Sequence, residues 1–231
     1  MFIWLAILIA LAPAFALFVY VARTRKSMWL AFALGAVGWT VAFYARLLIL
    51  TTLPSVLDSV ILIIVLSSLS AGIFEEGVRY GLMRKIRYLR IDWRHVLSFG
   101  LGWAFIEAVL IYAVNIFSVV YILGFAVPFP DMLVGAVERA FTVIFHVGLA
   151  FIIYRAVTSK LAWVAVAVAL HAAVDFISVS LYYMLRLPVW HVEAAILAMA
   201  LLTVIFAYKI VKNEDSTTQI NPPTITEQED S

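Results

Sequence analysis

Seven apolar runs of about 20 residues or more, the length that crosses roughly 30 Å of hydrocarbon as helix, follow one another along the chain. They lie near 2–21, 29–52, 58–83, 96–122, 131–155, 161–184 and 189–210. None shows the period-two alternation of an outer-membrane strand. Between them stand Arg-Thr-Arg-Lys at 23–26, Thr-Thr-Leu-Pro at 51–54, a basic stretch at 84–95, Pro128 with Pro130, and Pro188. The pattern predicts an all-α, polytopic transmembrane bundle of seven spans, one domain over residues 1–212. Residues 213–231 are rich in Asp, Glu, Ser, Thr, Gln and Pro. They have too little apolar surface to fold alone and are expected to form a disordered cytoplasmic tail.

Composition removes the soluble alternatives. With 65% apolar and 13% charged residues, the chain has more apolar side chain than a water-facing domain of this size can hide. There is no cysteine, hence no disulfide framework, thiolate metal site or cysteine nucleophile.

The positive residues orient the bundle. Arg23, Arg25, Lys26, Arg84, Lys85, Arg87, Arg90, Arg94, Arg155, Lys160, Lys209 and Lys212 all fall on one side if the N-terminus is outside, and only Arg186 falls on the other. This positive-inside bias predicts N-terminus out, C-terminus in, as a multi-pass protein of the cell membrane. The basic stretch from Arg84 to His95 reads as cytoplasmic anchoring, with no nucleic-acid partner implied; membrane lipids are the expected surroundings.

Ionisable residues inside the spans carry the functional signal. A carboxylate at membrane depth costs a few kcal/mol or more and is rare without a role. Here the third run holds Glu75, Glu76 and Arg79, the fourth Glu107, the fifth Glu138, Arg139 and His146, and the sixth His171 and Asp175. At about 1.5 Å per residue, Glu75, Glu76, Glu107, His146 and His171 come out roughly 12–16 Å from the cytoplasmic edge. Arg79 is i,i+4 from Glu75 and i,i+3 from Glu76, so it can pair with either. His171 and Asp175 share a face, as do Glu138, Thr142 and His146, and Trp103, Glu107 and Asn115. A second set (Arg46, Glu138 and Arg139) comes out roughly 25 Å from that edge. It is expected to pair within itself or snorkel, without chemistry.

Two imidazoles and carboxylates around one point suit Zn²⁺, which takes nitrogen and oxygen ligands and leaves a position for water. A neighbouring glutamate can then take the proton of that water during attack on a carbonyl. The soluble signature His-Glu-x-x-His is absent, as are Gly-x-Ser-x-Gly and Gly-x-Gly-Asp, and Asp175 is the one aspartate deep in a span.

Phe74-Glu75-Glu76-Gly77-Val78-Arg79, Trp103-Ala-Phe-Ile-Glu107, Glu138-Arg139 leading to Phe145-His146, and His171-Ala-Ala-Val-Asp175 resemble the YhfC family of intramembrane metalloproteases. That family groups with PrsW and the CAAX prenyl proteases in one membrane clan. The resemblance covers about residues 70–180. It departs from CAAX proteases in three places: the arginine comes one residue earlier, Glu107 stands where they carry histidine, and Asp175 where they carry asparagine. The resemblance implies an activating glutamate at Glu75, a supporting Glu76 and metal contact from His171. Shared depth, together with the family, extends metal contact to His146 and Glu107. Arg79 joins the supporting shell, and Asp175 either ligates metal or orients His171. The expected activity is hydrolysis of a membrane-embedded or membrane-proximal peptide in the cytoplasmic half of the bilayer, by glutamate-activated, zinc-bound water. Buried Glu, His, Arg and Asp also serve proton- or ion-coupled transport, and two histidines can ligate haem. A non-catalytic membrane scaffold on the same cluster is the remaining alternative. A retinal protein is disfavoured, because no lysine lies mid-span.

Overall fold

The computed structural model describes residues 2–23 and 25–220, with side chains described through Lys212. Seven helices among these are long and apolar enough to cross a membrane. They are α1 (Phe2–Ala22), α2 (Lys26–Val56), α3 (Val60–Lys85), α4 (Trp93–Ile122), α5 (Phe129–Thr158), α6 (Ala162–Tyr183) and α7 (Val189–Ile220). Their membrane-spanning parts end within four residues of the apolar runs. No strand occurs among the described residues. α7 continues as backbone to Ile220; the rest of the expected disordered tail, 221–231, lies outside the described residues.

Polar residues set the helix ends. The Ser59 hydroxyl accepts the Leu62 amide at the start of α3. Asp92 caps α4, its Oδ1 accepting the amides of Arg94 and His95 at 2.9 and 3.0 Å, which satisfies donors that a helix start leaves orphaned. Partial burial works against the Asp92 charge, but hydrogen bonds from the His95 ring and these amides outweigh it and hold the carboxyl below its ordinary range. Tyr88 donates to the Ser27 carbonyl and ties the α3–α4 connection to the start of α2.

Between helices in lipid there is no hydrophobic gain from burying apolar surface, so close packing of small residues must supply the attraction. α1 presents Ala6, Ala10, Ala14, Phe18 and Ala22 at i+4 spacing, all fully buried, to α4 and α5. α2 and α4 approach so closely that a Cβ added at Gly35 would lie 2.0 Å from the Phe99 carbonyl oxygen, and one at Gly102 1.9 Å from that of Phe32. Neither neighbour is a movable side-chain end, so the helices themselves would have to separate. Gly102→Ala is expected to cost about 1–3 kcal/mol through overpacking. A lowered thermal midpoint in detergent would register it, and an unchanged midpoint would show that this contact is not tight.

α5 is the most enclosed span, packed against α1, α4 and α7, while α3 packs on α2 and α6. The faces turned away from these contacts carry large exposed apolar side chains such as Leu8, Leu48, Ile61 and Leu202, as a lipid-facing surface requires. α4 is not uniformly α-helical. Ala108–Ala113 and Ser118–Ile122 are π-helical, with Val114 N–H bonded to the Val109 carbonyl. Each such turn takes up additional residues and rotates the helix beyond it. This corrects the sequence-based stripe of Trp103, Glu107 and Asn115: the π turn begins right after Glu107, and Asn115 is exposed.

Candidate metal centre inside the bundle

The ionisable residues of α2 to α6 meet in one network. Glu76 and Arg79 are fully buried, Glu75 and His146 are 2% exposed, and His171 is 4% exposed. Burial of so many charges is tolerable only where each finds a partner, so the partners define what each residue can do.

Glu76 is saturated. Arg79 Nη1 donates to both of its oxygens at 2.9 and 2.8 Å, and its Oε1 also lies 2.8 Å from His171 Nδ1. A carboxylate only accepts, so His171 carries its proton on Nδ1. Its Nε2 is then turned toward Glu75, 3.9 Å from Oε2, too far for a hydrogen bond. A carboxylate on one ring nitrogen with the other left open is how metal-binding histidines are oriented.

Arg79 closes a second link, with Nη2 3.1 Å from His146 Nδ1. A guanidinium cannot accept, so His146 Nδ1 is the acceptor and the ring's proton resides on Nε2. That nitrogen donates to Glu107 Oε2 at 2.5 Å. The guanidinium also lies 4.3 Å over the Trp103 ring, a cation–π contact strengthened by exclusion of water. Trp103 Nε1 in turn donates to Glu75 Oε2 at 3.2 Å.

Glu75 is the least engaged of the paired glutamates. Its second oxygen has Arg46 Nη2 at 3.6 Å, an ion pair without hydrogen-bond geometry. Arg139 Nη1 donates to Glu107 at 2.5 Å, and its Nη2 to Glu138. These contacts correct the expectation that Arg46, Glu138 and Arg139 pair only with one another or snorkel. Glu138 does pair with Arg139, but Arg46 and Arg139 both reach carboxylates of the central cluster. Helices of 31 and 30 residues (α2 and α5) span about 45 Å, longer than roughly 30 Å of hydrocarbon, so counting residues from one end misjudges depth. Asp175 is half-buried, one turn beyond His171, with His171, Glu75, Arg46 and Glu107 as ionisable neighbours.

Glu75, Glu107 and His146 each offer a ligand atom, and these atoms lie within 4.8 Å of one another. His171 stands beside this trio rather than in it; its ring is 5.6 Å from that of His146 and tilted by 67°. The two imidazoles therefore converge without sharing one tight set. Donor chemistry favours a cation here. Glu75, Glu76, Glu107 and Glu138 face three guanidiniums, those of Arg46, Arg79 and Arg139, so the paired carboxylates outnumber the guanidiniums. With His171 neutral, its Nε2 and the Glu75 carboxylate are both acceptors, and they face each other at 3.9 Å with no hydrogen bond between them. A divalent cation would relieve both conditions; to become a ligand, His146 would give up its Nε2 proton.

One buried acid was not singled out in the sequence. Glu193, in α7, is 4% exposed. Its signal was present, a lone carboxylate in the last apolar run, four residues after Val189.

The chain matches the family described as YhfC intramembrane metalloprotease over residues 7–127 and 123–197. No curated protein and no solved structure matches it.

Proposed function

Since the chain belongs to the YhfC intramembrane metalloprotease family, we propose that it hydrolyses a peptide bond inside the bilayer, with Zn²⁺ held by Glu107, His146 and His171 and with Glu75 as general base. The observation that carries this reading is the convergence of potential ligand atoms from Glu75, Glu107 and His146 within 4.8 Å, with His171 Nε2 beside them. The chemistry that zinc supplies when bound is polarisation of the scissile carbonyl and acidification of the attacking water.

The protein's own groups divide the remaining work. Glu75 takes the proton of the attacking water and delivers it to the leaving amine. It is favoured over Glu76 for this role because both Glu76 oxygens are held by Arg79, and one also by His171. Trp103 fixes the direction of Glu75 through its indole N–H. Glu76 orients His171, Arg79 compensates Glu76 and fixes the tautomer of His146, and Arg139 steadies Glu107. Asp175 adjusts the charge around His171. The site lies in the cytoplasmic half of a cell membrane, with the basic connections inside, as the asymmetry of Lys and Arg implies. Lipid surrounds it, and the substrate is a peptide segment in or next to the bilayer.

Purified protein in lipid bilayers, offered a library of transmembrane peptides, tests the reading. Cleavage is expected to fall to background with a zinc chelator and to return on adding Zn²⁺. Cleavage that persists through complete metal removal would refute the metal-dependent route.

A further inference from the structure

A second acidic position lies one ion pair away from the centre. Between α5, α6 and α7 is a cavity of about 240 Å³ whose lining includes Glu138, Glu193, Tyr182, Val192 and Ile196. Glu193 is 4% exposed, and its Oε2 is buried with no hydrogen-bond partner. Glu138, the other acid of the cavity, already pairs with Arg139, which is bonded in turn to Glu107. An unpaired carboxylate in an apolar cavity is costly unless it takes up a proton or something cationic reaches it. Among the described residues no lysine or arginine lines this cavity; Arg139 acts on Glu193 electrostatically but is bonded to Glu138 and Glu107.

We propose that the cavity is the subsite for a lysine or arginine side chain of the peptide substrate, and that Glu193 is its specificity-determining residue. The shape and lining fit such a ligand. Val192 and Ile196 flank an aliphatic stem, the Glu193 oxygen takes the cationic end, and Tyr182 provides an aromatic wall on which a cation is attracted. A phosphatidylethanolamine headgroup also carries an ammonium, but its adjacent phosphate would find no free cation in the lining. Contact through Glu138 and Arg139 connects occupation of the cavity to Glu107. The identity of the ligand's bearer rests on the peptide-hydrolase reading; binding of the cation does not.

The test uses the full chain in nanodiscs free of phosphatidylethanolamine, with capped lysine (acetyl-lysine-methylamide) and capped norleucine as probes, and saturation-transfer NMR to obtain Kd. Lysine is expected to bind about tenfold more tightly than its uncharged isostere, the scale of a hydrogen bond to a charged group. Glu193→Gln should remove that difference while leaving norleucine binding unchanged. Ile196→Phe, which fills the cavity without touching a charge, should weaken both probes. Equal affinities in the parent protein, or a preference that survives Glu193→Gln, overturns the subsite. Displacement of capped lysine by added phosphatidylethanolamine overturns the peptide assignment and makes the occupant a lipid. No turnover is required, so a protein that binds lysine without cleaving peptides defeats only the hydrolase reading. One that cleaves peptides without any lysine preference defeats only the subsite.

Discussion

Glu75→Gln is expected to abolish peptide hydrolysis, by about 10²–10⁴-fold, the usual contribution of a positioned general base, while leaving the metal bound. The amide is nearly isosteric with the carboxylate, and its carbonyl oxygen can still accept the Trp103 indole N–H that Glu75 Oε2 accepts at 3.2 Å. What it cannot do is take a proton from water. Metal retention is the informative half of the result. If Glu75 were itself a principal ligand, as its place within 4.8 Å of Glu107 and His146 allows, the substitution would release the ion. Glu76→Gln should behave in the opposite way. Its oxygens hold Arg79 and the His171 ring, so its loss disturbs ligand orientation before any proton transfer. Parallel measurement of bound metal and of cleavage rate in the two variants separates the roles.

Arg79→Leu should produce the largest loss of stability. The guanidinium is fully buried and serves three partners: both oxygens of Glu76, His146 Nδ1 at 3.1 Å, and the Trp103 face at 4.3 Å. Removing one side of a buried ion pair strands the other charge, at a cost of about 3–5 kcal/mol. Most of that cost belongs to the stranded Glu76 rather than to the lost contacts. The double variant Glu76→Gln/Arg79→Leu should therefore recover part of the loss, a non-additivity that thermal unfolding in detergent can measure. Arg79→Lys should fall between the extremes, because a single ammonium cannot reach Glu76 and His146 while lying flat on the indole. An Arg79→Leu protein that unfolds within a degree of its parent would contradict the proposed network.

The spans were legible because lipid imposes one strong rule, a length of apolar helix, and the chain obeys it seven times. The membership of the cluster was legible for the complementary reason: Glu75, Glu76, Glu107, His146 and His171 interrupt apolar runs, and each interruption costs energy that a site repays. Partnerships were not. Arg79 is spaced to reach either glutamate, and the selection of Glu76 depends on where His146 and His171 arrive from α5 and α6. Arg46 and Arg139 looked remote because a residue count assumes helices that stand upright and end at the membrane surface. The π-helical turns after Glu107 have no mark in the sequence, since neither proline nor a Gly/Ser pair falls in Ala108–Ala113. They turn Asn115 outward at the place where its spacing suggested an inward position. Glu193 was readable as an apolar run's lone acid, but its unpartnered oxygen and its cavity arise only from the packing of α7 on α5 and α6.

Metal quantification on detergent-purified protein, wild type beside His171→Ala, tests the central claim most directly. About one zinc per chain is expected in the wild type, and its loss in His171→Ala, whose Nε2 is the open nitrogen beside Glu75. A wild-type protein that cleaves peptides with no stoichiometric metal, or a His171→Ala protein that keeps its zinc in full, would contradict the account.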